Sequence, residues 1–141
     1  MWLIFLTWSV LAAPPPMDEV GRLRTTGGVV GPQWGLWGDM SVNTFQRLAL
    51  RAGTEVRFVH PAVGAHLMVE AWAGPYWFQP LLAAGGTLTV NLRPQPVLQP
   101  GWRVETGFRA LVRWGAGIKA TVALNRGLSV EGRVGGYLEW R

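Results

Sequence analysis

The chain has no cysteine, a single lysine (Lys119), two histidines and two tyrosines among its 141 residues. The missing cysteine excludes a disulfide framework, a thiolate metal site and an anchor through a lipidated cysteine. Charge is scarce too: 15% of residues are Asp, Glu, Lys or Arg, against about 25% in an average soluble domain. No apolar run reaches the ~20 residues that a membrane-spanning helix needs. There is no Gly-Lys-Ser/Thr phosphate loop, no amphipathic helical period and no internal repeat of fixed length.

What is present is apolar and aromatic. Nearly half of the chain (49%) is hydrophobic, with 9 Trp, 19 Gly and 10 Pro, a composition that excludes disorder and suits one domain. The 13 cations, 12 of them Arg, exceed 8 acids and leave a net charge of +5. A basic chain raises the question of nucleic acid, but no Lys/Arg run forms an electrostatic stripe. The densest groups are Arg22/Arg24 and Arg103/Arg109/Arg113, and they alternate with apolar residues and acids. No nucleic-acid partner is expected.

The longest apolar run lies at the start, Met1 to Ala13. Its length fits the apolar region of a signal peptide, and Val10-Leu11-Ala12 supplies small residues for cleavage. We read residues 1–12 as a signal peptide and 13–141 as a single β-barrel domain. Ala13-Pro14-Pro15-Pro16 cannot continue a helix. One feature departs from the pattern: no Lys or Arg precedes the apolar run.

Beyond the leader the period is two. From Trp102 the even positions are Trp102, Val104, Thr106, Phe108, Ala110, Val112 and Trp114, and the odd ones carry Arg103, Glu105, Arg109 and Arg113. The same alternation runs through Ile118–Asn125 and Leu128–Trp140, and from Trp102 onward only Arg126, in a turn, breaks the odd-position rule for charge. Successive residues of a strand point to opposite faces, so these strands each carry one charge-free face and one charged face. Upstream, Val63, Ala65, Leu67, Val69 and Ala71 oppose His66, Met68 and Glu70, and Val56 and Phe58 oppose Glu55 and Arg57. Turn signals at Gly53-Thr54, His60-Pro61, Gly74-Pro75 and Gly85-Gly86 separate the segments. A first strand is expected within Glu19–Thr26, and Pro94–Gly101 reads as a longer loop. Eight or nine strands joined by hairpins make an up-and-down antiparallel meander.

A soluble barrel or sandwich would bury the apolar face; an outer-membrane barrel would turn it to lipid and fill its lumen with the polar face. Three features favour the second. Trp102–Trp114 and Leu128–Trp140 are long, and 13 residues tilted near 40° rise ~30 Å, enough for an apolar band of ~25 Å and its flanks. Trp72, Trp77, Trp102, Trp114 and Trp140 stand near strand ends, where indoles collect in an interfacial girdle. The polar face carries Arg with Glu, not Lys with Glu. Arg103, Glu105, Arg109, Arg113, Glu131, Arg133 and Glu139 read as a lumen charge network, because the Arg fork matches a carboxylate with two hydrogen bonds.

With these residues the chain resembles the small outer-membrane β-barrel proteins of the eight-stranded OmpA/OmpX-like class. The resemblance spans about 120 residues by its pattern of leader, hairpin meander and final strand. Val134, Gly136, Leu138 and Trp140 look like the assembly signal such proteins present to the barrel insertion machinery, although Arg141 follows the aromatic. The resemblance implies an all-β, transmembrane, up-and-down barrel of about eight strands in the outer membrane of a Gram-negative-type bacterium, in contact with outer-membrane lipid. It implies a structural or interaction role and no fixed chemistry.

The residues themselves give no enzyme. His60 precedes Pro61 in a turn, and His66 and Glu70, four strand residues apart, lie ~13 Å from each other. Ser41 and Ser129 have no local His or acid partner. Two histidines and scattered carboxylates do not make a metal site. The expectation is a side-chain-plugged barrel without catalytic residues, metal or cofactor. The alternative is a soluble periplasmic or secreted β-barrel or sandwich that binds a ligand.

Overall fold

The computed structural model describes residues 20–113 and 115–140. The leader expected over residues 1–12 and Trp114 lie outside the described residues. Eight strands follow in order: β1 (Leu23–Gly31), β2 (Gly35–Phe45), β3 (Leu48–Arg57), β4 (Ala62–Trp72), β5 (Phe78–Asn91), β6 (Val97–Arg113), β7 (Ala116–Asn125) and β8 (Val130–Trp140). Each pairs antiparallel with the next, and β1 pairs with β8 from Leu23↔Trp140 to Gly31↔Gly132. The sheet is thus a closed barrel, and closure leaves no unpaired edge along the main wall. The described residues contain no helix.

Alternation sets which residues turn inward. In β2, β3 and β5–β8 the odd positions face the interior, and in β1 and β4 the even ones do. The result inverts a soluble protein. Arg51, Glu70, Glu105, Arg109, Lys119 and Arg133 are among the most buried side chains. Leu36, Leu50, Leu67, Leu82, Val104, Val122, Val134 and Leu138 stand exposed on the outer wall. The strands of 11 residues, tilted near 40°, rise about 25 Å.

Four sequence expectations shift. Gly53-Thr54 and Gly85-Gly86, expected as turns, lie inside β3 and β5 and are paired with neighbouring strands on both sides. The first strand begins at Leu23 and runs on through Gly27 and Gly28, because β2 and β8 pair with it on both sides and hold residues of weak strand propensity in the ladder. The stretch expected as a loop, Pro94–Gly101, is mostly strand: β6 begins at Val97, and Gln99 and Pro100 pair with Thr89 and Leu88. Proline is tolerated in a sheet only at an edge, since it lacks an N–H. The β7 partnership of β6 starts at Arg103↔Asn125, so Pro100 sits on a locally free edge. Pro80 is placed likewise, one residue beyond the last β4–β5 pair, Trp72↔Leu81.

All connections are short. At the end that holds Leu23 and Trp140, β2 and β3 are joined through residues 46–47, β4 and β5 through 73–77, and β6 ends at Arg113 beside the start of β7; at the other end the strands are joined through 32–34, 58–61, 92–96 and 126–129.

A closed barrel this narrow needs strands that bend sharply. Gly107 is one such point: a Cβ there would run into the Ala120 carbonyl on β7. Gly132, on the outer wall, has nothing within 4 Å of its would-be Cβ. Gly107→Ala is therefore expected to cost about 1–3 kcal/mol, and Gly132→Ala to be close to neutral. Urea unfolding of the two refolded variants in detergent checks this; equal effects would mean that curvature does not depend on the inward glycine.

Candidate functional site: the charged interior

All six acids among the described residues (Asp39, Glu55, Glu70, Glu105, Glu131 and Glu139) turn into the barrel. A buried carboxylate is costly unless cations and donors surround it, and each acid here meets at least one cation. Near mid-barrel, Glu70 from β4 accepts from Arg51 (2.9 Å), Arg109 (2.8 Å) and Lys119 (2.8 Å). These donors come from β3, β6 and β7, so one carboxylate ties four strands across the lumen.

The chain of contacts runs on in both directions. Arg51 also reaches Glu105 at 2.5 Å and Asp39 at 3.4 Å. Glu105 accepts from Arg133 at 3.0 Å, and Arg133 donates to Glu55. Glu55 further accepts from Arg103 (3.0 Å) and Arg57 (2.7 Å). Arg57 closes the series on Glu131 at 2.7 Å. Toward the end that holds Trp140, the Arg109 guanidinium lies 5.0 Å from the centre of the Trp72 ring, and that of Arg24 5.8 Å from it. Arg24 donates to Glu139 at 2.7 Å. A cation over an indole face gains electrostatic attraction that grows as water is excluded. Tyr76, in the turn at that end, donates to Glu139 at 2.7 Å. Burial and this hydrogen bond push its phenol up to about 12, so it remains a donor at neutral pH.

Of the residues expected in the network, Arg103, Glu105, Arg109, Glu131, Arg133 and Glu139 are brought together here. Arg113 is not: it is exposed at the end of β6, past a bulge between Leu111 and Arg113 that ends the regular register with β7. Of the expected girdle, Trp77, Trp102 and Trp140 are exposed near the barrel ends, with Trp77 and Phe78 packed at 6.1 Å and Phe78 stacked on Phe108 at 5.5 Å. Trp114 falls outside the described residues. Trp72 requires correction: it is 5% exposed and lines the lumen, because it shares the inward parity of His66, Met68 and Glu70 on β4. Proximity to a strand end did not outweigh parity.

Several interior residues were not singled out from the sequence. Glu70, Arg51, Glu55, Lys119, Arg24 and Asp39 form about half of the network, and Trp37 is buried beneath Arg133, whose guanidinium lies 5.3 Å from its ring. Their signal was the alternation already visible upstream of Trp102. His66 lies 4.0 Å from Asp39, and no group of three His, Asp or Glu suited to a metal ion occurs among the described residues.

Removing the charge at the hub tests the network. Glu70→Gln leaves Arg51, Arg109 and Lys119 without their shared anion and is expected to cost about 3–5 kcal/mol. Arg113→Gln, on an exposed strand end, is expected to stay within about 0.5 kcal/mol. Denaturant titration of both variants reads the difference; similar stabilities would contradict a network centred on Glu70.

No protein-family model matches the sequence, and no curated protein matches it. Solved structures do match. The N-terminal β-barrel domain of Pseudomonas aeruginosa OprF superposes with a TM-score of 0.76 at 11% identity, covering 86% of this chain and 98% of that one. A de novo designed transmembrane β-barrel gives 0.69 at 12% identity over 86% and 98%. Neisserial surface protein A gives 0.56 at 14% identity over 84% and 94%. At such identities the likeness is one of fold: this chain is a closed, eight-stranded antiparallel barrel of the architecture seen in small outer-membrane barrels.

Proposed function

We propose that the protein is a small outer-membrane barrel with a structural or interaction role, a plugged lumen and no catalytic activity. The observation that carries this reading is the inversion of burial. Val122 is 52% exposed while Glu70 is fully buried, and the same contrast holds around the whole wall. Water is a poor solvent for such an exterior, whereas acyl chains suit it, with the polar groups satisfied internally. The height of the strands supports it, since an apolar band of ~25 Å is what outer-membrane barrels present. Trp34 and Phe58 toward one end, and Phe45, Trp77 and Trp140 toward the other, are exposed at the depths where aromatic girdles sit.

An inert lumen follows from its contents. The ion-pair series spans the interior from Glu139 to Glu131, and an eight-stranded barrel has room for its own side chains and little else. The connections at both ends are short, so no long loop of the kind that carries catalytic groups stands over either mouth among the described residues. The likeness to OprF and Neisserial surface protein A supports an outer-membrane location.

Fractionation and electrophysiology test the reading together. The mature protein is expected in detergent extracts of the outer membrane, with a gel mobility that changes on boiling, and is expected to give no large, stable channels in planar bilayers. Recovery in the aqueous fraction would overturn the membrane assignment. Steady large conductance would overturn the plug.

A further inference from the structure

The plug stops short of one end. Above Arg57 and Arg103, at the end opposite Leu23 and Trp140, lies an open cavity of about 500 Å³. It exists because the strands are unequal. β5 and β6 continue to Asn91 and Val97 as a paired arm, while β7 stops at Asn125, opposite Arg103. The arm and the β7–β8 turn therefore stand apart, and the space between them is bounded below by the ion-pair series.

Its lining is rich in donors and holds no carboxylate. Arg57, Arg103 and Arg126 contribute guanidinium groups, Thr87 and Thr89 hydroxyls, and Asn125 an amide. Glu55 and Glu131, just beneath, are already shared among Arg57, Arg103 and Arg133. Arg126 adds a further positive charge and forms no ion pair among the described residues; its guanidinium donates to the Pro100 carbonyl at 2.7 Å. On the floor, Arg103 is 2% exposed; it donates from Nε to Asn125 Oδ1 at 2.6 Å and its Nη1 lies 3.0 Å from Glu55 Oε2, while Asn125 leaves Nδ2 without a hydrogen bond. A buried donor left open in this way is the exception in folded proteins.

We propose that this vestibule binds a small, hydroxyl-rich oxyanion, the chemistry of a phosphorylated sugar or polyol, either free in solution or displayed on a lipid headgroup. Several guanidinium donors fit phosphoryl oxygens in the forked geometry that Arg favours. The Thr hydroxyls and the Asn125 amide match the hydroxyls of such a solute. The volume accommodates one sugar unit, and the plug beneath makes the site a terminus and not an entrance to a channel. The inference concerns only one mouth of the barrel and is independent of what the barrel does in the membrane.

The test is calorimetric titration of glucose 6-phosphate into the refolded barrel in zwitterionic detergent, with glucose and inorganic phosphate as comparators. Saturable binding of glucose 6-phosphate at millimolar concentration or below is expected, with none for glucose. Arg126→Gln, in an exposed turn, is expected to weaken binding roughly tenfold or more. Gly101→Leu changes no charge. Its Cβ would lie 2.9 Å from Thr87 Oγ1 and 3.5 Å from Arg126 Cβ, so the side chain fills the cavity and is expected to abolish binding while the folded gel mobility persists. Arg113→Gln, at the opposite end, removes the same charge and is expected to leave affinity within about twofold of wild type. Repeating the titration in phosphatidylcholine vesicles with and without phosphatidylglycerol separates the sources. Competition by the anionic lipid identifies a headgroup as occupant, and undiminished binding identifies a solute. No saturable binding to wild type, equal losses for Arg113→Gln and Arg126→Gln, or full binding by Gly101→Leu would overturn the proposal.

Discussion

Everything in this barrel depends on neutralising charge that has been taken out of water. Six carboxylates are directed inward by strand parity, and the guanidinium groups of Arg24, Arg51, Arg57, Arg103, Arg109 and Arg133 and the ammonium of Lys119 are directed inward with them. Each side alone would be prohibitive to bury. Together they form a series in which Glu70, Glu105 and Glu55 each hold two or more cations from different strands. Because the partners come from β3, β4, β6, β7 and β8, the pairing does for the interior what an apolar core does for a soluble domain: it specifies which strands stand opposite one another. Arginine dominates because its planar fork can serve two acids at once, as Arg51 serves Glu70 and Glu105.

The wall is the complement of the plug. With every charged side chain of the described strands committed inside or to the ends, the outer face is left with aliphatic, aromatic and small residues and the hydroxyls of Thr25, Thr54 and Thr106. Closure through β1 and β8 pairs the backbone of the main wall, so no sheet edge there has to be met by solvent. Small inward residues keep the lumen from overfilling. Gly85 and Gly107 sit where the backbone of a neighbouring strand approaches too closely for any side chain. Where the strands are unequal, at the mouth formed by β5, β6 and the β7–β8 turn, the plug ends and a donor-lined space begins.

Most of this was legible as parity. Arg103 through Glu139 alternate so regularly that the strands and a shared charged face follow from spacing alone, because successive strand residues point to opposite faces. Parity also governs Glu55, Arg51 and Glu70, but there the alternating runs are shorter, and a single acid among neutral residues does not announce that it will be a hub. Which acid meets which cation depends on the stagger of strands around the barrel, and that is fixed only by closure. Trp72 was misread because position near a turn and parity pointed to different faces, and parity prevailed. The extent of β6 was hidden by its prolines, which are normally strand breakers; they are tolerated at Pro100 because β7 has already ended beside it. The vestibule could not be read at all, since it arises from the difference in length between neighbouring strands.

The absence of cysteine makes the central claim directly measurable. Single cysteines placed at Val104, Ile118, Val122 and Val134, one at a time, can be spin-labelled without background and read by power-saturation EPR in lipid vesicles. If the outer wall faces acyl chains, each label will relax strongly with oxygen, which partitions into lipid, and weakly with a water-soluble nickel chelate. If instead the labels at these four positions collide preferentially with the nickel chelate, the apolar wall is not embedded in lipid, and the membrane account of this barrel fails.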